Sequence, residues 1–172
     1  MELNTTYDQH IEVHKFYVGA IFGVVVLALA LEALLPVYFR AAAILEIPLL
    51  VTIYFGLSRR NPASGLLLGM AVGLAQDALG HTPLGMYGIA KTTVGFVASS
   101  FGSRIDVEHP LSRLLLTFIF FHVHNVVLVL INRVLLGQHE PYLERNLVIA
   151  SIVNAFAALF LYPLLDRLRK SS

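Results

Sequence analysis

Six apolar stretches follow one another along the chain, and this succession constrains the fold more than any other feature. They run over about 16–35, 41–57, 63–79, 84–101, 111–136 and 146–165. Each approaches the roughly 20 residues that a helix needs to cross a bilayer. The second and third are short, which leaves their ends loosely placed. Spanning strands would alternate apolar and polar residues over segments of about ten, and no such alternation occurs. Hydrophobic residues make up 57% of the 172 and charged residues 13%, with a mean hydropathy of +0.75. Too few charges remain to cover a soluble surface or to build a basic face for nucleic acid. The expected fold is an all-α integral membrane protein, a compact bundle of six transmembrane helices.

The connections are short and carry helix breakers, among them Pro36, Asn61-Pro62, His81-Thr82-Pro83 and Gly137. No extramembrane domain fits between them. The expected organisation is an N-terminal arm over 1–15, a six-helix membrane domain over 16–166 and a basic tail over 167–172. The arm contains Glu2, Asp8 and Glu12 and lacks the positive start of a cleavable signal, so the first apolar stretch reads as a retained helix. There is no cysteine, which removes thiol catalysis, disulfides and cysteine metal sites. Trp is absent too, so Tyr must supply any interfacial aromatic belt.

Six crossings put both termini on one side. That side carries Lys15, Arg59, Arg60, Arg104, Arg113, Arg167, Arg169 and Lys170, against Arg40, Arg133 and Arg145 on the other. The positive-inside rule then places both termini in the cytoplasm.

Polar residues within the spans each require a physical reason, because ionisable groups are costly in lipid. They are Glu32, Glu46, Asp77, Lys91, His122 and His124, with the amides Asn125, Asn132 and Asn154. In the third span Gly65, Gly69 and Gly73 recur every four residues, and Asp77 continues the series. Glycines at this spacing allow close helix contact. The fourth span answers with Gly88, Lys91, Gly95 and Gly102. With a turn near Thr82, Lys91 lies about four residues deeper than the level of Asp77, about 6 Å along the axis. An extended Lys covers that distance, so an Asp77–Lys91 ion pair is expected. The alternative is that Asp77 caps a helix or faces water while Lys91 snorkels alone.

Glu32 and Glu46 fall at nearly equal depth across the first turn. Paired carboxylates can share a proton for acid–base work, but the simpler reading points both at interfacial water. Pro48 removes a helix hydrogen bond, and a kink there would open a groove for another helix. In the fifth span His122, Asn125 and Asn132 share a face, while His124 points elsewhere. Residues two apart on a helix do not face each other, so inter-helix hydrogen bonding, with Asn154 as a partner, is preferred to a metal site. No Ser-His-Asp order, HExxH, Walker loop or dinucleotide fingerprint appears, and no cofactor is expected.

The stretch Pro48 … Tyr54 … Arg59-Arg60 … Gly65-x-x-x-Gly69-x-x-x-Gly73-Leu74-x-Gln76-Asp77 … Gly80-x-x-Pro83-Leu84-Gly85 … Gly95 resembles the rod shape-determining MreD family. Lys91 departs from the apolar character of that span in the family. The resemblance implies a non-catalytic subunit of the bacterial elongation machinery in the inner (cytoplasmic) membrane. It implies an MreC-like single-span partner, an MreB filament, and the RodA glycosyltransferase with its penicillin-binding transpeptidase. It also implies a fold akin to the substrate-binding subunits of energy-coupling-factor transporters. A small-residue face built from Gly65, Gly69, Gly73, Gly85, Gly88 and Gly95, or a groove at Pro48, would receive the partner helix. The competing class is a transporter subunit holding a small cationic or polar ligand between Glu32, Glu46 and Asp77. A membrane enzyme ranks last, for want of a nucleophile–base set.

Overall fold

The structure, a computed structural model, describes residues 16–102, 109–135, 137 and 145–169. Lys15, Arg104, Lys170 and the arm over 1–15 lie outside the described residues, as do 170–172 of the tail and the side chain of Arg145. The described residues form six α-helices and contain no sheet. They are α1 (Val18–Tyr38), α2 (Ile47–Arg59), α3 (Pro62–Gly80), α4 (Met86–Gly102), α5 (Pro110–Leu135) and α6 (Arg145–Asp166). A 3₁₀ turn over Arg40–Ile44 leads into α2.

Four of the helices, α1, α3, α5 and α6, are long and apolar enough to cross a membrane. The other two are shorter. At 13 residues α2 is about 20 Å long, and α4 has 17 residues, with Lys91 among them. Of these two, α2 forms the centre of the bundle, and α4 packs against α2, α3 and α5 while exposing Ile89, Phe96 and Phe101. Pro48 to Ser58 of α2 are all buried, and α2 packs against each of the other five helices. A helix enclosed by protein need not match the lipid thickness, because its ends meet protein rather than hydrocarbon.

The second apolar stretch was expected to be helical over 41–57 with a kink at Pro48. Instead the helix begins at Ile47, with Pro48 in its first turn. Proline has no N–H to donate, and at this position none is required, so it starts the helix rather than bending it. No groove opens there, because Pro48 is buried. The Arg60 and His81 backbones end α2 and α3 in the left-handed region, with φ of 54° at both. Asn61 then caps α3, its Oδ1 accepting from the Ser64 N–H at 3.2 Å. Successive helices pack on one another across short connections and so run in alternating directions.

The α3–α4 contact is the closest in the bundle. A Cβ added at Gly69 would fall on the Lys91 carbonyl, one at Gly73 on the Tyr87 carbonyl, and one at Gly65 on the Gly95 carbonyl. On the far side of α4, Gly102 lies against the Leu57 backbone of α2. The two backbones of each pair approach to a distance that no side chain would allow. Phe16 and Arg169 form an isolated antiparallel bridge, so the described chain begins and ends at the same end of the bundle.

Candidate functional site

At the opposite end of the bundle, where α1 stops and α3 turns into α4, polar side chains converge from α1, α3, α4, α5 and α6 and from Glu46, the residue before α2. Asp77 of α3 is 1% exposed. Its Oδ1 accepts from Thr82 Oγ1 at 2.9 Å and the Tyr87 N–H at 3.0 Å. Its Oδ2 accepts from the N–H groups of Gly85 at 2.9 Å and Gly88 at 3.1 Å. The first N–H groups of a helix have no partner within it, and the helix dipole favours an anion there. Asp77 therefore caps α4 from the preceding helix. The intervening turn includes Gly85 at φ +98°, a conformation that L side chains rarely adopt. Together these explain why an acid, a turn and a glycine occur at this spacing.

The expected Asp77–Lys91 ion pair does not form, and the capping alternative describes Asp77. Its four donors already satisfy both oxygens. Lys91, fully buried, reaches α2 instead, with Nζ 3.3 Å from Glu46 Oε2. The same Nζ lies 3.4 Å from His124 Nε2 and 4.7 Å from the centroid of the Tyr87 ring. His124 and Tyr87 stack with centroids 5.8 Å apart. Glu46 is also the residue preceding α2, and its backbone N–H donates to Asn154 Oδ1 of α6 at 2.9 Å. Asn154 Nδ2 donates in turn to the Ile44 carbonyl at 2.8 Å and the Ala150 carbonyl at 2.9 Å. On α1, Glu32 Oε1 accepts from Gln76 Nε2 of α3.

Glu32 and Glu46 thus bond to different partners, Gln76 and Lys91. The roles expected in α5 are exchanged. His124 is the buried histidine that joins the cluster, whereas His122 is half-buried and packs edge-on against Phe118 and Phe121. Asn125 donates to the Phe121 carbonyl of its own helix at 2.8 Å, and Asn132 Oδ1 has no hydrogen-bond partner. Asn154 bonds the start of α2 rather than α5. Sequence alone could not fix which face of α5 turns inward, because that rotation is set by packing.

A second network, not anticipated from sequence, lies at the end where Phe16 and Arg169 meet. Asp166 accepts from Arg113 Nη1 at 2.7 Å and Tyr54 Oη at 2.8 Å, and it forms an ion pair with Arg169, whose Nη2 lies 2.7 Å away. Next to it Thr117 and Tyr162 share a hydrogen bond of 3.0 Å. Arg113 and Arg169, read from sequence as orienting charges, are tied into a carboxylate joining α2, α5 and the end of α6. The available signal was Asp166 itself, a lone acid closing an apolar segment beside a basic tail.

Four donors converging on one buried carboxylate give a specific expectation. Asp77→Ala strands the α4 N–H groups and destabilises the purified protein by at least about 3 kcal/mol. Asp77→Asn, which keeps a carbonyl acceptor, loses about half as much. Equal denaturation midpoints for wild type and Asp77→Ala in the same detergent would contradict the capping role.

The candidate packing residues also find their places. Gly65, Gly69, Gly73, Gly88 and Gly95 lie inside the α3–α4 contact, and Gly85 occupies the turn with open space around it. A partner helix therefore has no access to Gly69 or Gly73, because α4 already covers them. Gly19 and Gly23 of α1 differ: nothing lies within 4 Å of a Cβ built on either. Along its 21 residues α1 buries only Ile21 and Ala28, and it exposes Val18, Phe22, Val26, Leu27 and Leu34.

Compared with known families, residues 13–171 match the family model described as rod shape-determining protein MreD. Neither a curated protein nor a solved structure matches the chain.

Proposed function

The chain belongs to the rod shape-determining protein MreD family, and from that premise we propose that it is a non-catalytic membrane scaffold of the bacterial elongation complex. It controls cell shape and lateral peptidoglycan synthesis by holding the transmembrane helix of an MreC-like partner. In this reading all six helices cross the bacterial cytoplasmic membrane. Both termini are cytoplasmic, in a short arm over 1–15 and a basic tail over 167–172. The adjacency of Phe16 and Arg169 supports an even number of crossings. The burial of α2 supports counting that short helix as a crossing, since protein surrounds it. Through its partner the scaffold joins an MreB filament, RodA and a penicillin-binding transpeptidase.

The observation that carries the partner contact is the open face of α1. Lipid offers no hydrophobic gradient between helices, so association relies on close packing, which small residues permit. The glycines of α3 and α4 are consumed within the bundle, whereas Gly19 and Gly23 sit on the helix with the least internal packing. This replaces Gly69 and Gly73 as the docking position.

The double variant Gly19→Leu/Gly23→Leu tests the contact. Its side chains meet open space, so the protein level and elution volume should equal those of wild type. Co-purification of the MreC-like partner from the same membrane should fall at least about fivefold. Undiminished co-purification with the variant properly inserted would rule out this face as the contact.

A further inference from the structure

A cleft of about 400 Å³ opens between α1, α3 and the turn into α4. Glu32, Gln76 and Tyr87 supply its polar and aromatic lining, and Leu29, Ala33 and Leu79 its apolar lining. That volume lies within the range of small-ligand sites. Two of its polar groups are unsatisfied. Gln76, only 9% exposed, leaves Oε1 without a hydrogen-bond partner. Glu32 Oε2 is also without one. The bond from Gln76 Nε2 to Glu32 Oε1 fixes the amide orientation, since the reversed amide would set a carbonyl against a carboxylate. What remains is one carboxylate oxygen and one amide oxygen on two side chains of the cleft wall, both without a donor.

The nearby charges point the same way. Glu32, Glu46 and Asp77 are three acids at this end of the bundle. Asp77 is satisfied by four N–H and O–H donors, and Glu46 by Lys91. Of the three, only Glu32 has a buried oxygen left without a hydrogen-bond partner, and no Lys or Arg lines the cleft. Buried polar groups left unpaired are unfavourable, so the cleft is built for a donor from elsewhere.

We propose that this cleft binds a primary ammonium group carried on a short apolar stem. One carboxylate and one amide carbonyl are too few for a metal ion, and the described residues hold no group of three His, Asp or Glu able to bind one. A guanidinium prefers both oxygens of one carboxylate, and Gln76 already occupies Oε1. An ammonium has compact, divergent donors that suit two single oxygens on different side chains. Its stem would lie along Leu29, Ala33 and Leu79. Such a group comes either from an aminolipid headgroup or from a free amine. The inference does not depend on the scaffold reading, because it rests on Glu32 and Gln76 and not on the exposed face around Gly19 and Gly23.

The test uses the full-length protein in nanodiscs of phosphatidylglycerol, alone or with phosphatidylethanolamine, and in a separate arm with added ethanolamine or spermidine. Native mass spectrometry and the unfolding midpoint report binding. Retained phosphatidylethanolamine together with a raised midpoint supports the lipid source. Stabilisation by either free amine in phosphatidylglycerol supports the soluble source. Glu32→Gln keeps an acceptor for Gln76 and removes the charge, and it should weaken binding by at least about tenfold. Ala33→Phe fills the cleft without touching the polar pair and should weaken it as much. It decides the question if Glu32→Gln does not insert. No response to phosphatidylethanolamine or to either amine, or equal binding by wild type and the properly inserted variants, overturns the proposal.

Discussion

Gly69→Leu should abolish the folded protein, lowering the amount recovered as a monodisperse peak from membranes by at least about tenfold. A Cβ alone at this position falls on the Lys91 carbonyl, and backbone cannot rotate away as a side chain can. Overpacking a core usually costs about 1–3 kcal/mol because side chains yield. Here the helices themselves would have to separate, which would break the register that brings Asp77 to the start of α4 and Lys91 to Glu46. Gly73→Leu should behave alike, since its Cβ falls on the Tyr87 carbonyl. The result separates fold from docking: the Gly19 and Gly23 variants should lose partner and keep fold, whereas Gly69→Leu should lose both. A monodisperse Gly69→Leu protein at wild-type yield would show that α3 and α4 are not packed backbone to backbone.

Lys91→Met should be the next most damaging change, at about 3–5 kcal/mol of stability. Methionine nearly matches the volume, so the loss reflects charge rather than a cavity. It leaves the Glu46 carboxylate without its cation. Glu46→Gln alone should cost less, because Glu46 is about a fifth exposed and its backbone N–H still bonds Asn154. The double variant Lys91→Met/Glu46→Gln should recover a large part of the single-variant loss. That coupling is the signature of a direct pair and is measurable in a double-mutant cycle. Additive losses would place Lys91 with some other partner.

Much of the architecture was legible because lipid permits few solutions. Long apolar runs must become helices, and the positions of Pro and Gly mark their ends. The glycine series in α3 was legible as close packing for the same reason, although not which helix fills it. The side-chain partners were not legible. Depth could be estimated from residue counts, and it brought Lys91 near Asp77. Choosing between Asp77 and Glu46 required knowing that the α4 amides already claim the first. It also required knowing that α2 begins at Ile47, which puts Glu46 at a helix start rather than within a span. His122 and His124 show the same limit, since two residues on a helix differ by more than half a turn and packing decides which one faces in. The Asp166 network escaped notice because Arg113 and Arg169 had a sufficient reason to be basic in the positive-inside rule.

The sixth helix ties off both ends of the bundle. Through Asn154 it satisfies the backbone at the start of α2, and through Asp166 it gathers Tyr54, Arg113 and Arg169. Until α6 arrives, a nascent chain in the bilayer has an open amide at one face and a stranded arginine at the other. Closure of the interior therefore waits for α6, and a chain cut short before it would leave in the bilayer the polar groups that α6 otherwise satisfies.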